Sequence, residues 1–266
     1  MIRVPIVLAV FFSSLPFMIA LQWTLARVAP ARWGTASIAY YRFLCRLLRI
    51  RIEVRGAVVT NMPVMIVSNH MSWSDIVVLG AIAPMVFVAK REVSGWPLIG
   101  AAARVQKVVF VDRERRQQTG NTVNEMAERL AEGHPVVLFA EGTSSDGNRV
   151  LPFRTALVGA ASAMRDDAAL GGLVLQPMSI CYPGLAGLPM ARAQRPRVAW
   201  YGDLDFLPHL KDFIRRNDVD AVVTFGTPVA ATAGQDRKAL ARTLEGTVRR
   251  MTVNTLRCVA QPPQNR

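Results

Sequence analysis

His70 and Asp75 are the two residues of this sequence best placed for acid–base chemistry. They lie five residues apart in the segment Ser68-Asn69-His70-Met71-Ser72-Trp73-Ser74-Asp75, directly after a short apolar run. In one continuous helix, residues five apart point about 140° from each other, so their side chains do not meet. A helix that starts with Ser72 as its N-cap, and with Asp75 three residues further on, lets His70 fold back onto the Asp75 carboxylate.

This pair would make the imidazole of His70 a general base. A carboxylate on one ring nitrogen orients the ring, raises its basicity and leaves the other nitrogen free to accept a proton from a hydroxyl group. The pair lacks a serine of its own, which suits an enzyme whose nucleophile is the substrate's hydroxyl. The alternative is structural: a loop histidine bonded to backbone, with Asp75 only a helix cap. A metal site is disfavoured because no third ligand has a familiar spacing, and the G-x-S-x-G, G-x-G-x-x-G and P-loop motifs are absent.

Two further clusters have residue types that suit substrate binding. Residues Glu141–Arg149, continued by Leu151–Arg154, place small and polar residues after an apolar strand, where backbone N–H groups can face a ligand. The alternative for the first cluster is a surface turn at Asp146-Gly147. The second cluster is Phe110–Arg113, whose arginine stands at a strand end. That arginine either caps the strand in solvent or grips an anionic head group.

Alternating strands and helices must position these residues. Short apolar or alternating runs predict strands over 50–55, 64–68, 85–89, 107–111, 135–140, 173–180 and 221–225. Helical spacing predicts helices over 73–82, 96–103, 122–132 and 155–164 and a C-terminal helix around 240–251. The alternation indicates an α/β fold with a mixed, mainly parallel sheet flanked by helices. The candidate residues then fall in loops after strands, where such sheets bind ligands.

The chain begins with its most apolar segment. No residue from Val4 to Ala26 is charged, and a helix of that length spans about 34 Å, enough to cross a hydrocarbon core of ~30 Å. Three interpretations are open: a transmembrane anchor, a kinked helix in the membrane interface, and a cleaved signal peptide. The signal peptide is disfavoured because no small-x-small site ends the run. Arg27 and Arg32 follow at once, which favours a cytoplasmic location for the rest of the chain.

A second N-terminal helix is predicted from Thr35 to Arg49. Arg42, Arg46 and Arg49 form one stripe of it, opposite a mainly apolar side. A basic amphipathic helix with aromatic neighbours such as Trp33, which suits a lipid head-group boundary, is typical of membrane-surface binding. The alternative is a helix that packs on the core and keeps its arginines in solvent.

Composition fits a membrane-associated globular protein. The 266 residues are 51% apolar, which excludes a disordered chain, and charges after residue 26 are too frequent for a multi-span transporter. Three scattered cysteines give neither a disulfide framework nor a C-x-x-C metal pair. The net charge is +13, and nine of these charges fall within residues 1–110. We therefore predict an N-terminal membrane-associating segment, 1–49, a single α/β domain, 50–266, and an anionic membrane surface as partner.

Four blocks of the sequence, taken together, resemble the glycerolipid acyltransferases of the lysophosphatidic acid acyltransferase type. The family patterns are N-H-x4-D, G-x-x-F-[IV]-x-R, F-P-E-G-T-R-S and a V-P-hydrophobic strand, and the blocks occur here in the family's order. The matching residues are Asn69, His70 and Asp75; Phe110, Val111 and Arg113; Phe139, Glu141, Gly142, Thr143 and Ser145; and the strand around Pro177.

The resemblance implies a role for each matched residue. His70 is the general base that activates a hydroxyl for attack on an acyl thioester, and Asp75 orients it. The residues expected to hold the acyl acceptor are Asn69, Arg113, Glu141, Gly142, Thr143 and Arg154. The acyl donor is a thioester of acyl-carrier protein or coenzyme A. No metal or redox cofactor is expected, because attack on a thioester needs a base and an oxyanion environment.

Three positions depart from the family patterns. Lys107 replaces a glycine, Ala140 a proline and Ser144 an arginine. That arginine is usually credited with gripping a phosphate monoester, and serine cannot replace its bidentate guanidinium. Either Arg149, Arg154 or Lys107 supplies the missing positive charge, or the acceptor lacks a phosphate.

The acceptor expected from these departures is a lyso-ornithine lipid. The runs 141–154 and 200–203 are similar to the lyso-ornithine lipid O-acyltransferase branch, whose acceptor is a 3-hydroxyacyl ornithine with a zwitterionic head. We prefer it to lysophosphatidate and expect the enzyme on the cytoplasmic face of the cell membrane. Two other classes stay open: a nucleic-acid or anionic-surface binding protein, supported by the arginine excess alone, and a hydrolase that activates water. No nucleic-acid partner is expected, because no recognition motif is present.

Overall fold

The computed structural model describes residues 2–111, 119–164, 170, 172–216, 218–230 and 236–258. These residues form one nine-stranded sheet with helices on both faces. The strands are β1 (Ile50–Arg55), β2 (Val64–Ser68), β3 (Val86–Lys90), β4 (Val109–Val111), β5 (Val136–Phe139), β6 (Val174–Leu185), β7 (Leu188–Pro189), β8 (Val219–Phe225) and β9 (Val229–Ala230). The helices are α1 (Arg3–Val28), α2 (Trp33–Leu48), α3 (Ser74–Gly80), α4 (Ile99–Val105), α5 (Thr119–Ala131), α6 (Thr155–Ala163), α7 (Phe206–Arg216) and α8 (Arg237–Cys258).

The central strands of the sheet are parallel. The strand order is β1-β8-β6-β2-β5-β3-β4, with β7 and β9 paired to β6. Strand β2 is parallel to β5 and β6, with Ser68 opposite Phe139 and Met178, whereas β6 and β8 are antiparallel. This mixed, mainly parallel sheet confirms the predicted fold class. The loops after β2 and β5 start side by side, and we call this border of the sheet the His70 edge.

Side chains of the central strands point alternately into two apolar clusters. In β2, Ile66 joins the cluster that includes α1 to α4 and α7, whereas Met65 and Val67 join the cluster that includes α5, α6 and α8. All three side chains are fully buried. A continuous apolar run is therefore the pattern of a parallel strand covered on both faces, which is why the sequence predicted β2 correctly.

Several strand boundaries differ from prediction, and two of the differences have a clear local reason. Strand β6 continues to Leu185 instead of ending at residue 180, because its antiparallel ladder with β8 extends past the end of β2 through an irregularity between Cys181 and Gly184. Strand β4 starts at Val109 instead of Lys107. Lys107 has a φ of 59°, a left-handed conformation that no strand residue adopts.

Helix α1 is long and apolar enough to cross a membrane. One stripe of it is nevertheless buried against the protein, at Val7, Phe11, Leu15, Met18 and Gln22. The rest of its surface exposes large apolar side chains, at Ile6, Phe17, Leu21 and Trp23. Helices α1 and α2 share an apolar cluster with the sheet. Segment 1–49 therefore packs on the domain, and the division at residue 49 stays a prediction.

Helix α2 is amphipathic, as predicted. Its buried apolar residues are Leu44, Cys45 and Leu48, whereas Arg42 and Arg46 are exposed. The prediction for Trp33 is wrong. Its side chain is only 2% exposed, and its indole N–H donates to the Val105 carbonyl at 2.9 Å. A tryptophan with a satisfied N–H can be buried in a core, so Trp33 anchors the start of α2 to the end of α4 instead of facing lipid.

Gly80 allows α2 and α3 to pack closely. A Cβ at Gly80 would lie 2.3 Å from Cδ2 of Tyr41. We expect Gly80→Ala to lower the free energy of unfolding by about 1–3 kcal/mol, because overpacking outweighs the higher helix propensity of alanine. Urea unfolding followed by tryptophan fluorescence measures this change.

The matched control is Gly246→Ala in α8, where a Cβ would meet only the flexible end of Arg250 at 3.5 Å. This variant should be neutral or slightly stabilising. If both substitutions shifted the unfolding midpoint equally, close α2–α3 packing would not be the cause.

Candidate active site

The loop after β2 is anchored to two distant segments. Asn69 is only 4% exposed. Its amide donates to the Ile180 carbonyl at 2.8 Å and accepts from the Ile180 N–H at 2.9 Å. The His70 carbonyl accepts the N–H of Ser145 at 2.9 Å. Contacts with β6 and with the loop after β5 therefore set the position of His70.

His70 makes the contact with Asp75 that the sequence predicted. Its Nδ1 lies 2.8 Å from Oδ2 of Asp75, whose side chain is fully buried. The same oxygen accepts the N–H groups of Met71 at 2.8 Å and Ser72 at 3.1 Å. Because a carboxylate only accepts, Nδ1 carries the proton and Nε2 is the basic nitrogen. The ring is 19% exposed, and among the described residues Nε2 has no partner.

The helix start that brings the pair together is close to the predicted one. Helix α3 begins at Ser74, with Trp73 as its N-cap, one residue later than expected. Ser72 still contributes, because its Oγ accepts the Ser74 N–H at 3.4 Å. The bond from the Ser72 N–H to Asp75 is the reciprocal half of a capping box. Asp75 thus caps the helix and orients His70 with the same oxygen.

Tyr182 is a partner of Asp75 that the sequence analysis missed. Its hydroxyl donates to Oδ1 of Asp75 at 2.8 Å and accepts from Oγ of Ser74, also at 2.8 Å. Burial, with a smaller effect of the Asp75 charge, raises the pKa of Tyr182 well above its ordinary value, so the phenol keeps its proton. No sequence signal marks this residue, which lies within the apolar run of β6, 107 residues from Asp75.

The end of β5 forms a wall beside His70. The Phe139 ring stacks on the imidazole, with centroids 4.0 Å apart and planes inclined by 20°. The Ala140 N–H donates to the Ser68 carbonyl at 2.9 Å and extends the β2–β5 ladder. Glu141 follows directly, so the loop after β5 begins next to the imidazole.

Glu141 is a buried carboxyl group, with the residue only 1% exposed. Its Oε1 accepts the Leu151 N–H at 3.2 Å. Its Oε2 has no partner among the described residues. Burial raises the pKa of Glu141 to about 8, although the polar backbone groups of Leu151 and His70 lower it, and the Asp75 charge also raises it. The group is therefore largely protonated at neutral pH.

The remaining predicted acceptor-binding residues follow Glu141. Gly142 has a φ of 69°, which favours glycine, and a Cβ there would lie 3.1 Å from Cγ of Arg154. The Arg154 N–H donates to the Ala140 carbonyl at 2.7 Å. The side chains of Thr143 and Arg154 are exposed. All the predicted site residues that the structure describes therefore lie at the His70 edge, and Arg113 is outside the described residues.

Lys107 lies at the opposite edge of the sheet. Its Nζ donates to Oε2 of Glu132 at 2.6 Å and lies 2.9 Å from Nε2 of His134. These partners precede the amino end of β5, whereas the His70 edge is at its carboxyl end. The suggestion that Lys107 supplies the positive charge of the arginine missing at position 144 is therefore wrong. Its positive φ explains why the family pattern has glycine at this position.

Known proteins similar to this chain are acyltransferases. Residues 49–181 match the family described as Acyltransferase. The chain is 48% identical over 217 residues to the lyso-ornithine lipid O-acyltransferase of Brucella abortus, covering 82% of this chain and 81% of that protein. It is 41% identical over 228 residues to the enzyme of the same name from Rhizobium meliloti, covering 86% and 77%. It is also 29% identical over 221 residues to the 1-acyl-sn-glycerol-3-phosphate acyltransferase of Neisseria gonorrhoeae, covering 83% and 82%.

A solved structure has the same fold. The crystal structure of the 1-acyl-sn-glycerophosphate (LPA) acyltransferase PlsC from Thermotoga maritima matches with a TM-score of 0.64 at 19% sequence identity. The match covers 96% of this chain and 93% of that chain. It therefore includes the N-terminal helices as well as the sheet.

Proposed function

The chain belongs to the acyltransferase family, and from this membership we propose that it transfers a fatty acyl chain from an acyl thioester to the free hydroxyl of a lyso-ornithine lipid. The observation that carries the proposed chemistry is the buried Asp75 carboxylate on Nδ1 of His70, beside the Glu141 loop. The choice of acceptor is supported by the names of the relatives at 48% and 41% identity and by Ser144 in place of the family's arginine.

In the proposed reaction His70 is the general base. Nε2 removes the proton of the acceptor hydroxyl while the hydroxyl oxygen attacks the carbonyl carbon of the thioester. Asp75 holds the ring through Nδ1–H and stabilises the imidazolium that forms. Collapse of the tetrahedral intermediate keeps the new C–O bond and breaks the C–S bond, and the imidazolium returns the proton to the leaving thiolate. We expect no metal or redox cofactor, because a base and an oxyanion environment suffice for attack on a thioester.

We assign Asn69 a positioning role instead of the substrate-binding role that the resemblance implied. Both ends of its side-chain amide are bound to the Ile180 backbone, which leaves little capacity for a ligand. Glu141, Gly142, Thr143 and Arg154 remain the proposed contacts for the acceptor, as does Arg113, which lies outside the described residues.

The test of this function is a side-by-side acylation assay. Purified enzyme is offered lyso-ornithine lipid and lysophosphatidate, each with labelled acyl-carrier protein and with acyl-coenzyme A. We expect labelled ornithine lipid as the main product. Acylation of lysophosphatidate only would exclude the preferred acceptor, and release of free fatty acid without lipid product would indicate a hydrolase.

A second candidate function is 1-acyl-sn-glycerol-3-phosphate acyltransferase. It is supported by the Neisseria relative and by the exposed Arg154 beside Gly142, which offers a guanidinium near the family's phosphate-binding position. The same assay distinguishes the two functions, since only this candidate converts lysophosphatidate efficiently.

We propose that α1 lies in the membrane interface, on the cytoplasmic face, instead of crossing the membrane. Arg3 in its first turn donates to the Ile214 carbonyl at 3.0 Å, and Sδ of Met18 accepts from Gln106 at 3.3 Å. These contacts with the domain are 15 residues apart along α1. A spanning helix would leave the surface of the domain, whereas an interfacial one keeps its buried stripe on the protein and its other side in lipid.

An acidic residue at Phe17 should weaken membrane binding. Phe17 is 73% exposed on α1. We expect Phe17→Glu to reduce binding to vesicles containing anionic lipid by about tenfold or more, because inserting one large apolar side chain contributes roughly 1.5–3 kcal/mol. Co-sedimentation with vesicles measures this. The control is Val253→Glu on α8, which packs on the other face of the sheet. Equal losses in the two variants would contradict insertion of α1.

A further inference from the structure

Arg195 carries a partly buried guanidinium without a carboxylate partner among the described residues. Its side-chain bond to Asn148 runs from Nη1 to Oδ1 at 3.4 Å, which is long for a hydrogen bond. Its Nε is buried and has no partner in the described part of the chain. Asp146, two residues before Asn148, forms no ion pair with Arg195, and its carboxylate oxygens accept hydrogen bonds from Asn148. Partly buried charges are normally paired, so this cation is available for an anionic ligand.

The segment that carries Arg195 is attached to the His70 loop. The Trp200 N–H donates to the Met71 carbonyl at 2.8 Å. A Cβ at Gly147 would lie 2.3 Å from the Met71 methyl and 3.7 Å from Cβ of Arg195, so Arg195 and Met71 pack against the same point of the loop after β5. Met71 follows His70 in the chain. One layer of side chains therefore separates the stem of Arg195 from the His70 loop.

Electrostatics agree with this placement. Burial raises the pKa of the Cys181 thiol to about 11; hydrogen bonds with Ser179 and Thr252 lower that pKa, and the Arg195 charge, which lowers it, and the Asp75 charge, which raises it, have smaller effects. The charges of Arg195 and Asp75 therefore both act on the same buried thiol. Burial also lowers the pKa of Arg195 itself, and a bound anion would oppose that effect.

We propose that Arg195 binds the carboxylate of the acceptor's head group and replaces the guanidinium that the family has at the position of Ser144. This inference rests on the proposed function, because it takes a lyso-ornithine lipid as acceptor. In a 3-hydroxyacyl ornithine the carboxylate is only a few bonds from the hydroxyl that reacts. A guanidinium on the segment attached to the His70 loop can therefore hold the carboxylate by two parallel N–H···O bonds while the hydroxyl faces Nε2.

The test compares two acceptors that differ in one charge: lyso-ornithine lipid and its carboxyl methyl ester. Both keep the hydroxyl, the ammonium group and the acyl chain. The variants are Arg195→Ala, Arg195→Gln, which retains polarity without charge, and Arg192→Ala, which removes an exposed arginine close by. Steady-state KM and kcat are measured for each pair, with thermal unfolding as a check on folding.

We expect both Arg195 variants to raise KM for the free carboxylate acceptor by about 10- to 100-fold, the range for hydrogen bonds to charged groups. KM for the methyl ester should change by less than about twofold, and Arg192→Ala should affect neither acceptor strongly. Equal losses for the acid and the ester would overturn the role of Arg195 while leaving the proposed acceptor intact. If the parent enzyme acylated neither ornithine acceptor, the proposed function would fail together with this inference.

Discussion

His70→Ala is expected to reduce kcat for acyl transfer by about 10³- to 10⁴-fold, because the acceptor hydroxyl loses its general base. The substitution should leave the fold intact. Without His70, the Asp75 carboxylate keeps hydrogen bonds from Met71, Ser72 and Tyr182, so no buried charge is stranded. Initial rates with labelled acyl-carrier protein and lyso-ornithine lipid measure the effect, and thermal unfolding confirms that the variant is folded.

Asp75→Asn tests the same mechanism without removing the base. Oδ2 of Asp75 accepts three hydrogen bonds and Oδ1 accepts one from Tyr182. An amide has one accepting oxygen, so it cannot replace both, and it no longer stabilises the imidazolium. We expect a loss of about 10²- to 10⁴-fold in kcat with a smaller change in KM.

Activity of His70→Ala within tenfold of the parent enzyme would refute general-base catalysis by His70.

The parts of the site that the sequence predicted depend on local signals. The apolar run of β2, the cap at Ser72 and the acid three residues later lie within twelve residues, so their geometry follows from helix and strand rules. The position of Glu141 followed from the same logic, because it comes directly after a buried strand that pairs with β2. Neighbouring parallel strands have their carboxyl ends at the same edge of the sheet. The loops that follow these strands therefore lie close together although they are far apart in the sequence.

The parts that the sequence did not predict depend on tertiary packing. Tyr182 reaches Asp75 from an apolar strand, and nothing in its neighbours distinguishes it from a core tyrosine. Lys107 belongs to a family motif, yet it precedes β4, and the direction of that strand places it at the edge away from His70. Arg195 is one arginine among 28, and only tertiary packing places its partly buried guanidinium, with an unpartnered Nε, beside the loop after β5. Such contacts are fixed by which segments pack together, and residue spacing does not encode them.

Glu141→Gln is expected to raise the free energy of unfolding at neutral and slightly alkaline pH. In the folded protein burial raises the pKa of Glu141 to about 8, from an ordinary value of 4.5. Above pH 4.5 the unfolded chain releases this proton while the folded chain retains it. The stability that the protonated group provides is therefore complete below pH 4.5 and is lost as the pH rises toward 8. Glutamine does not ionise, so the variant avoids this loss.

The gain should be on the order of 2 kcal/mol near pH 7.5, since each unit of pKa shift corresponds to about 1.4 kcal/mol and partial relaxation reduces the total. It should disappear near pH 4. Urea unfolding at several pH values measures the difference, with Glu128→Gln, an exposed acid on α5, as control. The side-chain amide in the Glu141→Gln variant retains an oxygen for the Leu151 N–H, so the loop keeps its anchor. A variant less stable than the parent at pH 7.5 would show that Glu141 is ionised in the fold and that its charge is compensated.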